Sequence, residues 1–181
     1  RDANAALQSA EPLLNRAIDA LYEGGFRGEQ IERFLKLLAQ AHETSVGSAL
    51  QTILDLRADG YSSRQIALLH VPIAVIQYRA GASFIFWVAR NAAQTLRATG
   101  MGQDETVALL HNMWATQAGE PKEKVNADIS TSAEIAAHLK RRGRTDAEII
   151  AELDKLAAAH REPYIVTGQI AAHLIVNKGF T

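Results

Sequence analysis

The side chains in this sequence that could do chemistry are few and scattered. There are six histidines and no cysteine, which excludes a thiolate nucleophile, a disulfide and a cysteine-held zinc, and with them several enzyme classes. No phosphate-cradling glycine loop, nucleophile elbow or HExxH pair occurs. His42 with Glu43, and His160 with Glu162, set an imidazole beside a carboxylate as metal ligands would. Each of these histidines falls in the last turn of a predicted helix, where the ring interacts favourably with free carbonyls and the helix dipole. That role accounts for both pairs, so no metal or cofactor is expected. His138 and His173 lie beside apolar positions of their helices and read as flank or satisfied core residues rather than catalytic bases. Glu134 and His138 share one helix face, a surface contact worth roughly a few tenths of a kcal/mol.

The sharpest charged feature is KRRGR, in which Lys140, Arg141, Arg142 and Arg144 surround Gly143. Such a cluster could bind phosphate or the acidic surface of a partner. The same residues also suit the last turn of a helix, whose dipole they complement, and Asp146 and Glu148 follow directly. These four are the candidate binding residues. Nucleic acid is the less favoured ligand, because 19 basic against 20 acidic residues leave no global field to recruit it. GYSSRQIALLHVP, residues 60–72, has the length of a helix-turn-helix reader. Its would-be recognition segment, PIAVIQYRAG, is too apolar to reach base edges in a major groove.

The elements that must position these residues are helices. Apolar residues make up 48% of the chain and only four prolines interrupt it, a composition that predicts an all-α fold. The clearest local signal is LRADGYSSRQIALL, Leu56 to Leu69. Gly60 can take the left-handed conformation that closes a helix. Ser62 and Gln65 then stand as a capping box for the next one, and Tyr61 and Ile66 occupy the two positions of a hydrophobic staple. A stop, a corner and a start are thus written in one short stretch.

The same joint recurs around Gly25, Gly100 and Gly143, and its beginning recurs at Gly179. Successive glycines are 35, 40, 43 and 36 residues apart, in the range of helix-pair repeats. EIAAHL at 134–139 is echoed by QIAAHL at 169–174. The alternative is ordinary punctuation, since any up-and-down helical protein needs a glycine stop and a capped start.

Between the joints, helical spacing predicts helices over Glu11 to Glu23, Ile31 to about His42, and Val46 to Asp59. The helix after Ser62 is expected to be short, because Pro72 blocks its continuation. An apolar helix over about 82–99 is expected near the centre of the fold. A further helix ends near Gly119, and a polar, exposed, mobile loop follows over about 119–130. Thr131 and Glu134 read as a capping box for the next helix, and Asp146 to His160 as the one after it. A last helix holds Gln169 to Leu174.

The expected architecture is therefore a single unit over 1–181, of antiparallel helical hairpins, possible degenerate helix-turn-helix repeats, stacked around the apolar helix. Because the chain stops at the beginning of a fifth joint, it reads as part of a longer protein. The apolar region 71–89 is broken by Pro72 and by Gln77, Tyr78 and Arg79, so no membrane span is expected. No secretion-signal pattern is visible, and cytoplasm is the default location. The function expected is a non-catalytic scaffold that binds another protein. The alternatives are nucleic-acid binding through the basic joint and an enzyme whose site leaves no local motif.

Overall fold

The computed structural model describes residues 2–42, 46–80, 87–119 and 129–160. Among the described residues every regular element is a helix: α1 Ala3–Gln8, α2 Glu11–Glu23, α3 Gly28–His42, α4 Val46–Ala58, α5 Ser63–Ala80, α6 Trp87–Arg97, α7 Gln103–Gly119, α8 Ile129–Arg141 and α9 Asp146–His160. The chain divides into two compact units, residues 1–90 and 91–181, and the division falls within α6.

The joints are built as the sequence predicts. Gly25, Gly60, Gly100 and Gly143 all have positive φ, at 110°, 93°, 92° and 79°. After three of them the next residue's N–H donates five residues back: Phe26 to Leu21 O at 2.9 Å, Tyr61 to Leu56 O at 3.1 Å and Arg144 to Leu139 O at 3.2 Å. In each case the glycine N–H donates three residues back, so the last carbonyls of the helix are satisfied by a Schellman turn. The helix that follows is capped in turn. Ser62 N–H donates to Gln65 Oε1 at 2.9 Å, and Gln65 N–H to Ser62 Oγ at 3.2 Å. Thr145 and Glu148 repeat the exchange at 2.8 and 3.3 Å.

Arg27 has no acceptor to offer, so its joint keeps one half only, Arg27 N–H to Gln30 Oε1 at 3.0 Å. At the Gly100 joint Thr106 and Val107 are both buried where the other joints bury one isoleucine. Thr106 remains satisfied there because its hydroxyl donates to Gly102 O at 2.8 Å. The joint predicted at Gly179, and the helix predicted over 169–174, lie outside the described residues.

In the first unit each helix packs most extensively on the one two places along: α2 on α4, α3 on α5, and α1 on α3. Helices adjacent in sequence also touch, but less. The apolar stripe of α3 shows why this works. Ile31, Phe34, Leu35, Leu38 and Ala39 fall at helical spacing and are all buried, so one face of the helix seeks apolar neighbours along its length. Opposite them, α4 buries Leu50, Ile53 and Leu56, and α5 buries Ile66, Leu69 and Ile73. In the second unit α9 packs on both α7 and α8.

Tyr61 is 3% exposed and Ile66 is fully buried. Tyr61→Ala and Ile66→Ala are each expected to cost about 1 to 3 kcal/mol through lost packing. The measurement is a lower urea midpoint with an unchanged slope.

Four features differ from the sequence-based expectation. First, α1 is an additional helix, capped by Asp2, whose carboxylate accepts from Asn4 N–H at 2.9 Å. Second, Pro72 does not end α5 but lies buried inside it. A proline in a helix interior costs about 3 kcal/mol. Continuing the helix buries Ile73 and Ala74 completely, and burying one large aliphatic side chain is worth about 1.5 to 3 kcal/mol. Packing therefore outweighs the local preference. Third, α8 begins at Ile129, so Thr131 sits within its first turn and not at a cap. Fourth, the described part of the helix expected over 82–99 is two-faced. Ala92, Ala93 and Leu96 are buried while Asn91, Gln94 and Arg97 are exposed. Of the loop expected over 119–130, residues 120–128 lie outside the described residues, while Gly119 belongs to α7 and Ile129 and Ser130 to α8.

Candidate functional site

The four candidate basic residues lie at the joint between α8 and α9, and the structure gives them different tasks. Lys140 belongs to the scaffold. Its ammonium donates to the Glu105 carboxylate and to Asp146 Oδ1 at 3.1 Å, with 24% of its side chain exposed. These two partners, Glu105 first, raise its pKa above the ordinary lysine value. Arg144 is exposed and faces Glu148 at 3.7 Å, a loose contact on the surface. Arg141 and Arg142 are also exposed, and no ion pair engages either among the described residues. The sequence-predicted cluster therefore separates into one buttress, one loosely paired arginine and two available guanidinium groups.

The N-terminus of α9, only a few residues away, is already occupied. Glu148 accepts from the Thr145 N–H at 2.8 Å and from the Thr145 hydroxyl at 3.0 Å. The backbone bond is the first reason that its pKa is lowered. An incoming anion would meet this carboxylate there, so the accessible positive charge lies on the α8 side of the joint. On that side, one helical turn before the arginines, His138 is half-buried. Its Nε2 is out of contact with solvent and has no hydrogen-bond partner among the described residues. Burial first, then Arg142 and Arg141, lower its pKa. The residue stands at the flank of the apolar face of α8, one of the two places expected for it from the sequence.

The role of Lys140 follows a rule that also holds in the other unit. Arg57 stands three residues before Gly60, as Lys140 stands three before Gly143. The Arg57 Nε donates to Ala20 O at 3.1 Å, in the last turns of α2, and an Arg57 terminal nitrogen donates to Tyr61 O at 2.6 Å. Each residue ties its own joint to the preceding one, Arg57 to the Gly25 joint and Lys140 to the Gly100 joint. The sequence signal is register, and it does not decide by itself, because Arg97 in the same register is exposed. Alignment of the joints on their glycines puts Arg57, Arg97 and Lys140 in one column. Lys140→Ala is expected to cost about 1 kcal/mol or less, because the ion pairs are partly exposed. That loss should shrink as salt is raised, whereas Arg141→Gln should leave the urea midpoint unchanged.

The other histidine–carboxylate pairings do not form a site among the described residues. His42, in the last turn of α3, is 2% exposed, and Glu43 and Glu162 lie outside the described residues. Among the described residues no group of three or more His, Cys, Asp or Glu converges as a metal-ligand set, and no helix is long and apolar enough to cross a membrane. Compared with protein-family models, curated proteins and solved structures, the chain matches none.

Proposed function

We propose that this chain is a non-catalytic helical scaffold that binds another protein. The observation that carries the reading is the lengthwise packing of each helix of the first unit on the helix two places along. Stacked helical units of this kind bury one continuous core and leave long outer faces suited to macromolecular contacts. Several polar side chains are taken up in holding joints together, as Arg57, Ser62, Gln65 and Lys140 are.

The test is affinity capture with the chain as bait, followed by reconstitution of the complex from two purified proteins. A stoichiometric complex that survives nuclease treatment is the expected result. Loss of every co-purifying protein on nuclease treatment would overturn it in favour of the second reading, nucleic-acid binding, which the two available arginines of α8 favour. In that case affinity for a short duplex would fall steeply with salt.

A further inference from the structure

Among the described residues, the basic joint offers two guanidinium groups that no ion pair engages. Arg141 and Arg142 sit at the end of α8 where its last carbonyls are already satisfied. Leu139 O accepts from both Arg142 N–H and Arg144 N–H, and Lys140 O accepts from Gly143 N–H. Lys140 is neutralised by Glu105 and Asp146, and Glu148 occupies the start of α9. What remains is a positive spot formed by Arg141 and Arg142, one turn after the half-buried His138 and bordered by carboxylates on the α7 and α9 sides.

We propose that Arg141 and Arg142 form a docking site for a short acidic segment of a protein partner, with two Asp or Glu carboxylates meeting the two guanidinium groups. This rests on the scaffold reading. Charge complementarity selects the occupant. Guanidinium groups match carboxylates bidentately, and two of them suit a pair of carboxylates better than an extended polyanion. A nucleic-acid backbone carries phosphates at regular short spacing and needs a longer basic track. Here such a track would run into Glu105, Asp146 and Glu148.

The test uses a fluorescein-labelled hexaglutamate peptide as probe, with hexaglutamine and a twelve-nucleotide single-stranded DNA as comparators, read by anisotropy in low salt. Hexaglutamate is expected to bind, hexaglutamine not to bind, and the double variant R141Q/R142Q to bind hexaglutamate more weakly by about tenfold or more. Both substitutions are at exposed positions, and an unchanged urea midpoint verifies that the variant is folded. The imidazole resonances of His138 should shift on peptide addition in the parent chain and not in the variant. Equal hexaglutamate binding by both proteins overturns the proposal. So does tighter binding of the oligonucleotide that is lost with the same two substitutions. If a reconstituted partner complex forms equally well with R141Q/R142Q, the docking site fails while the scaffold reading stands. If no partner complex forms but hexaglutamate binding depends on the arginines, the scaffold reading fails and the acidic-ligand site remains.

Discussion

Replacing Gly24 with alanine is expected to lower stability by about 4 kcal/mol, a large effect for the addition of a single methyl group. The backbone of Gly24 is not the reason, since its φ of −75° suits any residue. Space is the reason. A Cβ at this position would lie 2.2 Å from Ser63 Oγ, 2.9 Å from Ser63 N and 3.0 Å from Arg57 Cδ. Ser63 cannot move aside cheaply, because it is fully buried and holds two joints together. Its hydroxyl donates to Leu21 O at 2.6 Å and its N–H to Gly24 O at 3.0 Å. Moving it would leave buried polar groups without partners, at about 1 to 3 kcal/mol each, and would dislodge Arg57 from Ala20. Gly47 is the internal control. It lies within α4, and the nearest atom to its would-be Cβ is Leu13 Cδ1 at 4.0 Å. Gly47→Ala is expected to stabilise the chain by about 0.5 to 1 kcal/mol through helix propensity. Urea midpoints that move in the same direction for the two variants would contradict the packing described at the Gly24 joint.

The second large effect is a dependence of stability on pH that originates at His70. This side chain is fully buried in α5, with its ring 6.3 Å from that of Phe34. Burial pulls its pKa from 6.5 down to about 4, because the charged imidazolium is poorly solvated there. Above pH 6.5 neither the folded nor the unfolded chain protonates it, and it contributes no pH dependence. As the pH falls below 6.5 the unfolded chain takes up a proton that the folded chain refuses. Stability therefore declines until about pH 4, where the folded chain also binds the proton. The accumulated loss is about 3 kcal/mol. Urea midpoints measured from pH 7.5 to pH 4 should fall in the parent chain, and the slope should be markedly flatter in His70→Phe. A slope unchanged by that substitution would show that other groups carry the acid sensitivity.

Much of the local structure was legible in the sequence. The four joints, the Schellman turns and the capping boxes at Ser62 and Thr145 involve partners no more than five residues apart. The helix over Asp146 to His160 has the predicted limits. Such features depend on backbone conformation and on side chains that reach their partners within one turn, so residue type and spacing determine them. What spacing could not decide was which polar residues are used within the fold. Lys140 reads identically to Arg141 and Arg142 in the run KRRGR, and Gly24 identically to Gly25 in the diglycine.

Their difference arises from partners far along the chain. Lys140 meets Glu105 at a separation of 35 residues, Arg57 meets Ala20 at 37 and Ser63 meets Leu21 at 42. The continuation of α5 through Pro72 has the same origin, because local preference was outweighed by the burial of Ile73 and Ala74. The sequence by itself determined an all-helical chain and the places where it turns. Only the tertiary structure decided which helix packs on which, that Gly24 has no room for a side chain, that His70 is held away from protons and that, among the described residues, Lys140 and Arg144 are in ion pairs while Arg141 and Arg142 are not. These properties are set by excluded volume, desolvation and charge pairing between segments brought together from dozens of residues apart, and none of these can be read from residues that are neighbours in sequence.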